Sequence, residues 1–278
     1  KHEDAAIFKE NTMNMKFPEF LKKNGTIGFV APSFGCNIEP YKTSFNHALE
    51  KFHDMGYHTE LGPNCYEGSG IGISNTPKNC AEELNDMYVS EKNDALISCG
   101  GGELMCEILD DVDFDAIKAA KPKWYMGYSD NTNFTFLLTT ICDVASIYGP
   151  CAGTFGMEPW DESIEDSFSL FAGKKLTMQS YPLWEKEGLR DEEHPLEPYN
   201  LTEQSLVRGF LTQKDQAGEV QAVDTEGTIE FKGRLIGGCM DCLVNLTGTK
   251  FDQVKSFNER YKEDGIIWYL ESCDLNVF

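Results

Sequence analysis

The chain has 278 residues, which is enough for two domains or one large domain with an ample core. Its 46 acidic residues against 24 basic ones give a formal net charge of −22. This balance argues against a nucleic-acid partner or an anionic membrane, because phosphate groups must be met by clustered lysine and arginine. No run of 18 apolar residues occurs, so the sequence predicts no membrane-spanning helix.

Strands and helices alternate through the first half of the chain. We predict strands at 25–33, 57–61, 94–98 and 124–128, and helices at 42–56, at 78–90, after the glycine loop 99–102 and after residue 130. Helices of 10–15 residues between buried strands are typical of a parallel sheet covered on both faces. The sequence therefore predicts an α/β fold with a flavodoxin-like or Rossmann-like N-terminal domain.

The texture of the sequence divides the chain into four parts. Residues 1–16 are predicted to be a leader, and 17–158 the N-terminal α/β domain. Residues 159–205 are acidic and punctuated by prolines, and they predict a mobile, substrate-facing linker. Short β-like runs, one helix and the strand 265–271 predict a smaller, β-rich and apparently incomplete C-terminal α/β domain over 206–278.

The ten cysteines favour a reduced protein over a disulfide framework. Several of them fall in helical patterns or in the apolar strand ending at Cys99, where cysteine is a small hydrophobic residue. Cys239 and Cys242 form the only CxxC pair, and no second pair or histidine pair follows at ligand spacing. We therefore expect no metal, no other cofactor, and a cytoplasmic location.

The stretch KWYMGYSDNT places Ser129 between a predicted strand and a predicted helix. A serine at such a sharp turn resembles a nucleophile elbow in geometry, with an exposed hydroxyl and free backbone N–H groups behind it. Asn131 stands where the G-x-S-x-G motif has its second glycine. The alternative is that Ser129 or Asp130 only caps the helix.

A second feature is the glycine-rich run SCGGGE at 98–103, directly after a strand. Successive glycines let backbone N–H groups approach a ligand closely. Neither G-x-G-x-x-G nor a G-K-[ST] ending is present, which argues against a nucleotide P-loop. The loop could donate a second oxyanion N–H beside the serine, or it could be a tight turn.

Taken together, five motifs resemble the LD-carboxypeptidase serine peptidases, most closely their microcin C immunity branch. The motifs, in chain order, are GTIGFVAPS, GGGE, GYSDNT, LIGGCMDCLVNLTGT and IIWYLESCDLNVF. The resemblance covers the chain from about Phe17. It implies an α/β domain that supplies the serine and a smaller domain that supplies a glutamate and a histidine, with no metal, in a cytoplasmic and often dimeric protein.

Carried over by position, the resemblance implies that Ser129 is the nucleophile and Glu271 the triad acid. The backbone N–H groups of Asp130 and Gly101 would form the oxyanion hole. A carboxylate orients the base that takes the serine proton. From the residues alone, Glu271 could equally be a strand-end acid in an ordinary ion pair.

The same resemblance assigns substrate contacts to Gly102, Glu103 and Trp184. An aromatic face stacks on any nucleobase, so Trp184 could hold the base of a nucleotide conjugate. It could equally be a partly buried anchor.

Two positions depart from the family pattern. Tyr148-Gly149-Pro150 stands where members often have His-Gly-Pro, and we interpret this tripeptide as structural. No histidine of the chain fits the catalytic base, which in the family follows the glutamate by several tens of residues. We expect the catalytic histidine beyond Phe278, in a longer protein, with His194 as the alternative.

These features support three hypotheses. The first is a serine hydrolase that cleaves an amide bond in a small peptide or a peptide–nucleotide conjugate. The second is a murein tetrapeptide LD-carboxypeptidase, and the third is a non-catalytic module that binds a small anion at the glycine loop. We expect a homodimer with a small-molecule substrate and neither a nucleic-acid nor a membrane partner.

Overall fold

The computed structural model describes residues 15–225 and 228–272. A parallel sheet of five strands forms the centre of the N-terminal half: β1 (Thr26–Val30), β2 (His58–Leu61), β3 (Ala95–Ser98), β4 (Tyr125–Gly127) and β5 (Ile147–Tyr148). Its strand order is β2-β1-β3-β4-β5, the order of flavodoxin-like doubly wound sheets. The predicted α/β fold is confirmed.

Helices cover both faces of this sheet: α1 (Tyr41–Asp54), α2 (Pro77–Val89), α3 (Phe114–Ala119) and α4 (Thr132–Thr140). The apolar stripe of α1 packs with Phe29 in one core, and that of α2 packs with Leu96 in the other. Thr76 caps α2 by accepting the Asn79 N–H at 3.3 Å. The helices cover the faces of the sheet, so the loops at the carboxyl ends of the strands are where a site is expected.

The predicted helix after the glycine loop begins as a 3-10 helix, Met105–Asp111. Its buried Met105 and Ile108 are three residues apart, the spacing that aligns side chains on a 3-10 helix. The short α3 follows it. This tighter turn matters for the site because its first residue contacts Asp130.

The segment 159–205 is more structured than the predicted linker. Helix α5 (Glu162–Phe171) begins at Asp161, whose carboxylate accepts the Ser163 N–H at 2.9 Å. Ile164, Phe168 and Phe171 are buried in the core of the N-terminal half. An antiparallel hairpin of β6 (Leu183–Glu185) and β7 (Leu201–Gln204) follows. Glu162 and Glu165 of α5 are exposed, and this acidic, proline-flanked surface explains why composition alone suggested a linker.

The C-terminal part is β-rich, as predicted. Its elements are the hairpin β8 (Gly209–Lys214) and β9 (Val220–Thr225), then β10 (Arg234–Cys239), α6 (Met240–Leu246), α7 (Val254–Tyr261) and β11 (Ile266–Glu271). Strands β10 and β11 are parallel, with Cys239 opposite Glu271. Within the residues the structure describes, no helix is long and apolar enough to cross a membrane.

The C-terminal part packs on helix α4. Ile236, Leu246 and Phe257 share a core with Phe136 and Leu137 of that helix. At its margin the Arg260 guanidinium lies 3.0 Å from the Asp143 carboxylate, which is almost fully buried. This contact joins the end of α7 to the turn that follows α4. The domain boundaries stay predictions, and residues 1–14 of the predicted leader lie outside the described residues.

Candidate active site

Ser129 occupies a sharp turn between strand β4 and helix α4. Its backbone φ is +59°, in the left-handed region that a serine rarely adopts. The other non-glycine residues with positive φ in the described chain are Asn24 and Asp143, residue types that tolerate this conformation. Strained backbone of this kind is typical of functional sites. The strand, turn and helix predicted around Ser129 are therefore observed, with the serine half-buried at their junction.

The Asp130 side chain holds neighbouring loops together and does not cap α4. One carboxylate oxygen accepts the Ser33 hydroxyl at 2.5 Å and the Met105 N–H at 2.8 Å. The other accepts the Asn133 amide at 2.9 Å. Burial raises the pKa of the Asp130 carboxyl, while these hydrogen bonds oppose the rise. The capping alternative is not observed, because α4 receives no side-chain cap at its first residue.

The glycine loop lies directly against Ser129. A Cβ atom built on Gly101 would lie 3.1 Å from the Ser129 Cβ and 3.3 Å from its Oγ. The Gly101 carbonyl accepts the Phe34 N–H at 2.8 Å, and the Gly100 carbonyl accepts the Asn131 amide at 2.8 Å. These two hydrogen bonds hold the loop in place through its carbonyl groups. Within the described residues, the N–H groups of Gly101 and Gly102 donate no hydrogen bond.

The two residues after Gly101 occupy different surroundings. A Cβ on Gly102 would lie 2.0 Å from the Ser33 hydroxyl oxygen, so only glycine fits there without displacing that side chain. The Glu103 N–H donates to the Gly72 carbonyl at 3.3 Å, and its side chain is exposed. Gly101, of the three glycines, is the one whose Cβ position contacts Ser129. This placement supports Gly101 over Gly102 as the second candidate oxyanion donor.

Glu271 reaches Ser129 through Tyr148. The Tyr148 hydroxyl donates to Glu271 Oε1 at 2.5 Å and accepts the Ser129 N–H at 2.7 Å. Burial raises the pKa of Tyr148, and the hydrogen bond to Glu271 raises it further. The phenol therefore keeps its proton at neutral pH. The structure thus brings Ser129, Gly101, Asp130 and Glu271 to one place.

The described histidines lie elsewhere. His47 Nδ1 contacts the Gly156 carbonyl at 2.7 Å, while His53 and His58 are exposed on α1 and β2. His194 Nδ1 lies 3.0 Å from Asp191, and its ring is exposed. In the part of the chain that the structure describes, no histidine is hydrogen-bonded to Ser129 or Glu271.

Trp184 lies on the β6–β7 hairpin rather than in the elbow. Its indole N–H donates to the Gln204 carbonyl at 3.2 Å, and about half of the side chain is exposed (49 %). No ring contact to Trp184 is found among the described residues. The exposed half of the indole is thus available to contact a planar group.

An arginine also lies on the loop between β6 and β7. The Arg190 guanidinium carbon is 5.3 Å from the centroid of the Tyr41 ring, which packs on Phe34 at 5.1 Å. The Phe34 N–H in turn binds Gly101. Among the described residues Arg190 has no carboxylate within ion-pair distance, so its charge is exposed to solvent next to the Tyr41 ring. Nothing in the sequence pattern marked this residue.

The CxxC pair packs against the elbow. The Cys242 thiol contacts the Ser129 carbonyl at 3.6 Å, and the Cys239 thiol contacts Asp241 at 3.4 Å. The Cys239 N–H donates to Thr132 at 2.9 Å. Burial raises the pKa of both thiols. No cluster of three or more ligating side chains occurs among residues 15–225 and 228–272.

Comparison with known proteins relates this site to a family of peptidases. Residues 27–149 match the model of the LD-carboxypeptidase N-terminal domain, and this range contains both the glycine loop and Ser129. This range of the chain is therefore similar to an LD-carboxypeptidase N-terminal domain. The resemblance inferred from the five motifs is confirmed.

The relatives extend the likeness beyond that domain. The microcin C7 self-immunity protein MccF of Escherichia coli is 28% identical over 234 residues, which are 83% of this chain and 63% of that protein. A structure of MccF in its inactive mutant apo state gives a TM-score of 0.71 at 24% identity, covering 92% of this chain and 70% of that one. MccF in complex with glutamyl sulfamoyl guanosine gives 0.69 at 22% identity, with 92% and 70% covered. The chain thus spans less than two thirds of this curated relative, and the structures show a shared fold.

Sequence reasoning missed two contacts of this site. Tyr148 was interpreted as structural, although a tyrosine in place of a family histidine was a visible signal. Ser33 follows the first strand in the quoted motif, yet only the fold shows that its hydroxyl binds Asp130.

Proposed function

We propose that this chain carries the nucleophile, oxyanion donors and triad acid of a serine hydrolase of the Ser-Glu-His type. One observation carries the proposal: Ser129 has a strained, left-handed backbone at a strand–helix turn, with the unpaired glycine-loop amides against its hydroxyl. A hydroxyl in that setting can attack a carbonyl while backbone N–H groups hold the oxygen. The family match to residues 27–149 supports the same chemistry.

The proposed reaction is acyl transfer through a covalent intermediate. Ser129 Oγ attacks the amide carbon while a base takes its proton, and the oxyanion meets the N–H groups of Asp130 and Gly101. The base then returns the proton to the leaving amine, and water hydrolyses the acyl–serine ester. The resemblance implies a histidine base, oriented by Glu271, that follows the glutamate by several tens of residues in the family; no histidine follows Glu271 within the 278 residues.

We propose that the substrate is a small peptide or peptide–nucleotide conjugate, cleaved at an amide next to a free carboxylate. The ligand glutamyl sulfamoyl guanosine, bound by the relative MccF, combines an acidic acyl group with a nucleoside. The exposed face of Trp184 could stack on the base, and the unpaired Arg190 could contact an anionic group. The resemblance also favours a cytoplasmic homodimer.

Turnover by the complete protein, including the histidine that the resemblance implies, tests this function and separates the candidates. A peptidyl-nucleotide amide and a murein tetrapeptide would be offered to the wild type, to Ser129→Ala and to Ser167→Ala. Ser167 is a half-buried serine on α5 whose hydroxyl donates a hydrogen bond to the Ser163 carbonyl, so it serves as the matched control. We expect Ser129→Ala to lose turnover of the nucleotide conjugate by several orders of magnitude, with Ser167→Ala unaffected.

Each other outcome has a defined meaning. Turnover of the tetrapeptide alone would identify a murein carboxypeptidase. Binding of the conjugate without turnover would indicate the non-catalytic module, and turnover that survives Ser129→Ala would overturn the assignment of the nucleophile.

A further inference from the structure

We propose that Tyr148 is a positioning residue that couples the triad acid to the nucleophile's backbone, an inference that rests on the proposed function. Its hydroxyl accepts the Ser129 N–H at 2.7 Å and donates to Glu271 Oε1 at 2.5 Å. Strand β5 supplies Tyr148, and strand β11 supplies Glu271. One side chain therefore connects two catalytic groups that are 142 positions apart in the chain (271 − 129).

The placement of Tyr148 follows from strand order. Strands β4 and β5 are parallel neighbours, with Gly127 paired to Tyr148, so both strands end at the same edge of the sheet. The elbow begins two residues after Gly127. The Tyr148 ring also packs on Tyr269 of β11 at 5.6 Å, two residues before Glu271. These contacts hold the hydroxyl between the two groups.

The Tyr148 hydroxyl can position Glu271 and Ser129 but cannot act as the general base. Its burial and its bond to Glu271 both raise the pKa of Tyr148, so the phenol remains a donor at neutral pH. Donation to Oε1 fixes the rotation of the Glu271 carboxylate and leaves Oε2 for the base. Acceptance from the Ser129 N–H supports the left-handed backbone of the serine.

This arrangement predicts an effect on catalysis without a matching effect on substrate binding. Removing only the hydroxyl by Tyr148→Phe keeps the ring contact with Tyr269. A hydrogen bond to a charged group contributes enough that we expect a fall in kcat of about 10- to 100-fold, with KM changed less than about twofold.

The matched control is Tyr181→Phe. The Tyr181 hydroxyl also donates to a carboxylate, Asp166 Oδ2, at 2.8 Å, but this pair lies at α5 and away from the elbow. We expect Tyr181→Phe to keep the wild-type kcat and KM. A general structural loss from deleting a tyrosine hydroxyl would affect both variants alike.

The experiment measures kcat and KM of the complete protein for wild type, Tyr148→Phe, Tyr181→Phe and Ser129→Ala. A wild-type kcat in Tyr148→Phe, while Ser129→Ala is inactive, would overturn the positioning role and leave the proposed function standing. Turnover that persists in Ser129→Ala would overturn both. Hydrogen exchange at the Ser129 amide of the wild type tests the bond without any variant: we expect protection, and exchange at the rate of an exposed amide would contradict it.

Discussion

Gly101 lies next to Ser129: a Cβ atom built on Gly101 would lie 3.3 Å from the serine hydroxyl oxygen. Because glycine has no side chain, the space beside that hydroxyl stays free for a substrate carbonyl. The relationship explains why a glycine loop and a strained serine occur at adjacent strand ends.

Replacing Gly101 with alanine should therefore impair catalysis. The added methyl group would crowd the Ser129 Oγ and the position of the oxyanion, so we expect kcat to fall by about 10-fold or more. Steady-state kinetics would measure the effect. Gly153→Ala is the control, because a Cβ there meets no atom within 4 Å. Equal activity in the two variants would contradict the proposed oxyanion site.

The Asp130 carboxylate should contribute to stability as well as to loop geometry. Asp130→Asn places an amide donor among three donors, Ser33, Met105 and Asn133. We expect the free energy of unfolding to fall by about 1–3 kcal/mol, as for a buried group left without its partner. Urea denaturation would measure it, with the exposed Asp115→Asn as control. Equal losses in both variants would show that the Asp130 network is dispensable.

The regular elements were predictable because their apolar spacing is strong. Helix α5 was missed because acidic residues and nearby prolines dominated the composition, although Ile164, Phe168 and Phe171 have helical spacing. The role of Tyr148 could not be predicted from local sequence. It depends on β4, β5 and β11 ending together, and Tyr148 and Glu271 are 123 positions apart.

Glu83 should make stability depend on pH near neutrality. Its buried carboxylate accepts the N–H groups of Ala31 and Asn64, each at 2.8 Å, and burial raises its pKa from 4.5 to about 7. Because the folded state binds this proton more tightly than the unfolded state, the contribution of Glu83 to stability is fully present below pH 4.5 and is lost as the pH rises through about 7. The loss from this group is about 3 kcal/mol.

Urea unfolding at pH 5 and pH 8 checks this prediction. Glu83→Gln cannot ionise, so its stability should change less between the two pH values than that of the wild type. The neighbouring Glu82→Gln, on the exposed face of α2, should behave as the wild type does. The same pH dependence in all three proteins would contradict the role of Glu83.

Trp184 should affect affinity for one substrate class. If its exposed face stacks on a nucleobase, Trp184→Ala should raise KM for a peptidyl nucleotide by about 5- to 100-fold, whereas Trp184→Phe retains part of the effect. KM for a peptide without a nucleoside should not change. Trp268→Phe, an exposed tryptophan on β11 that packs on Phe136, is the control. Unchanged KM values would assign Trp184 to an anchoring role.

Covalent labelling is the most direct test of Ser129 as the nucleophile. The complete protein would be treated with a serine-directed fluorophosphonate, and the adduct would be located by peptide mass spectrometry. We expect a single adduct, on Ser129 in the peptide spanning 124–140. This adduct should be absent in Ser129→Ala and unchanged in Ser167→Ala. An adduct on another serine, or labelling that survives Ser129→Ala, would contradict this assignment.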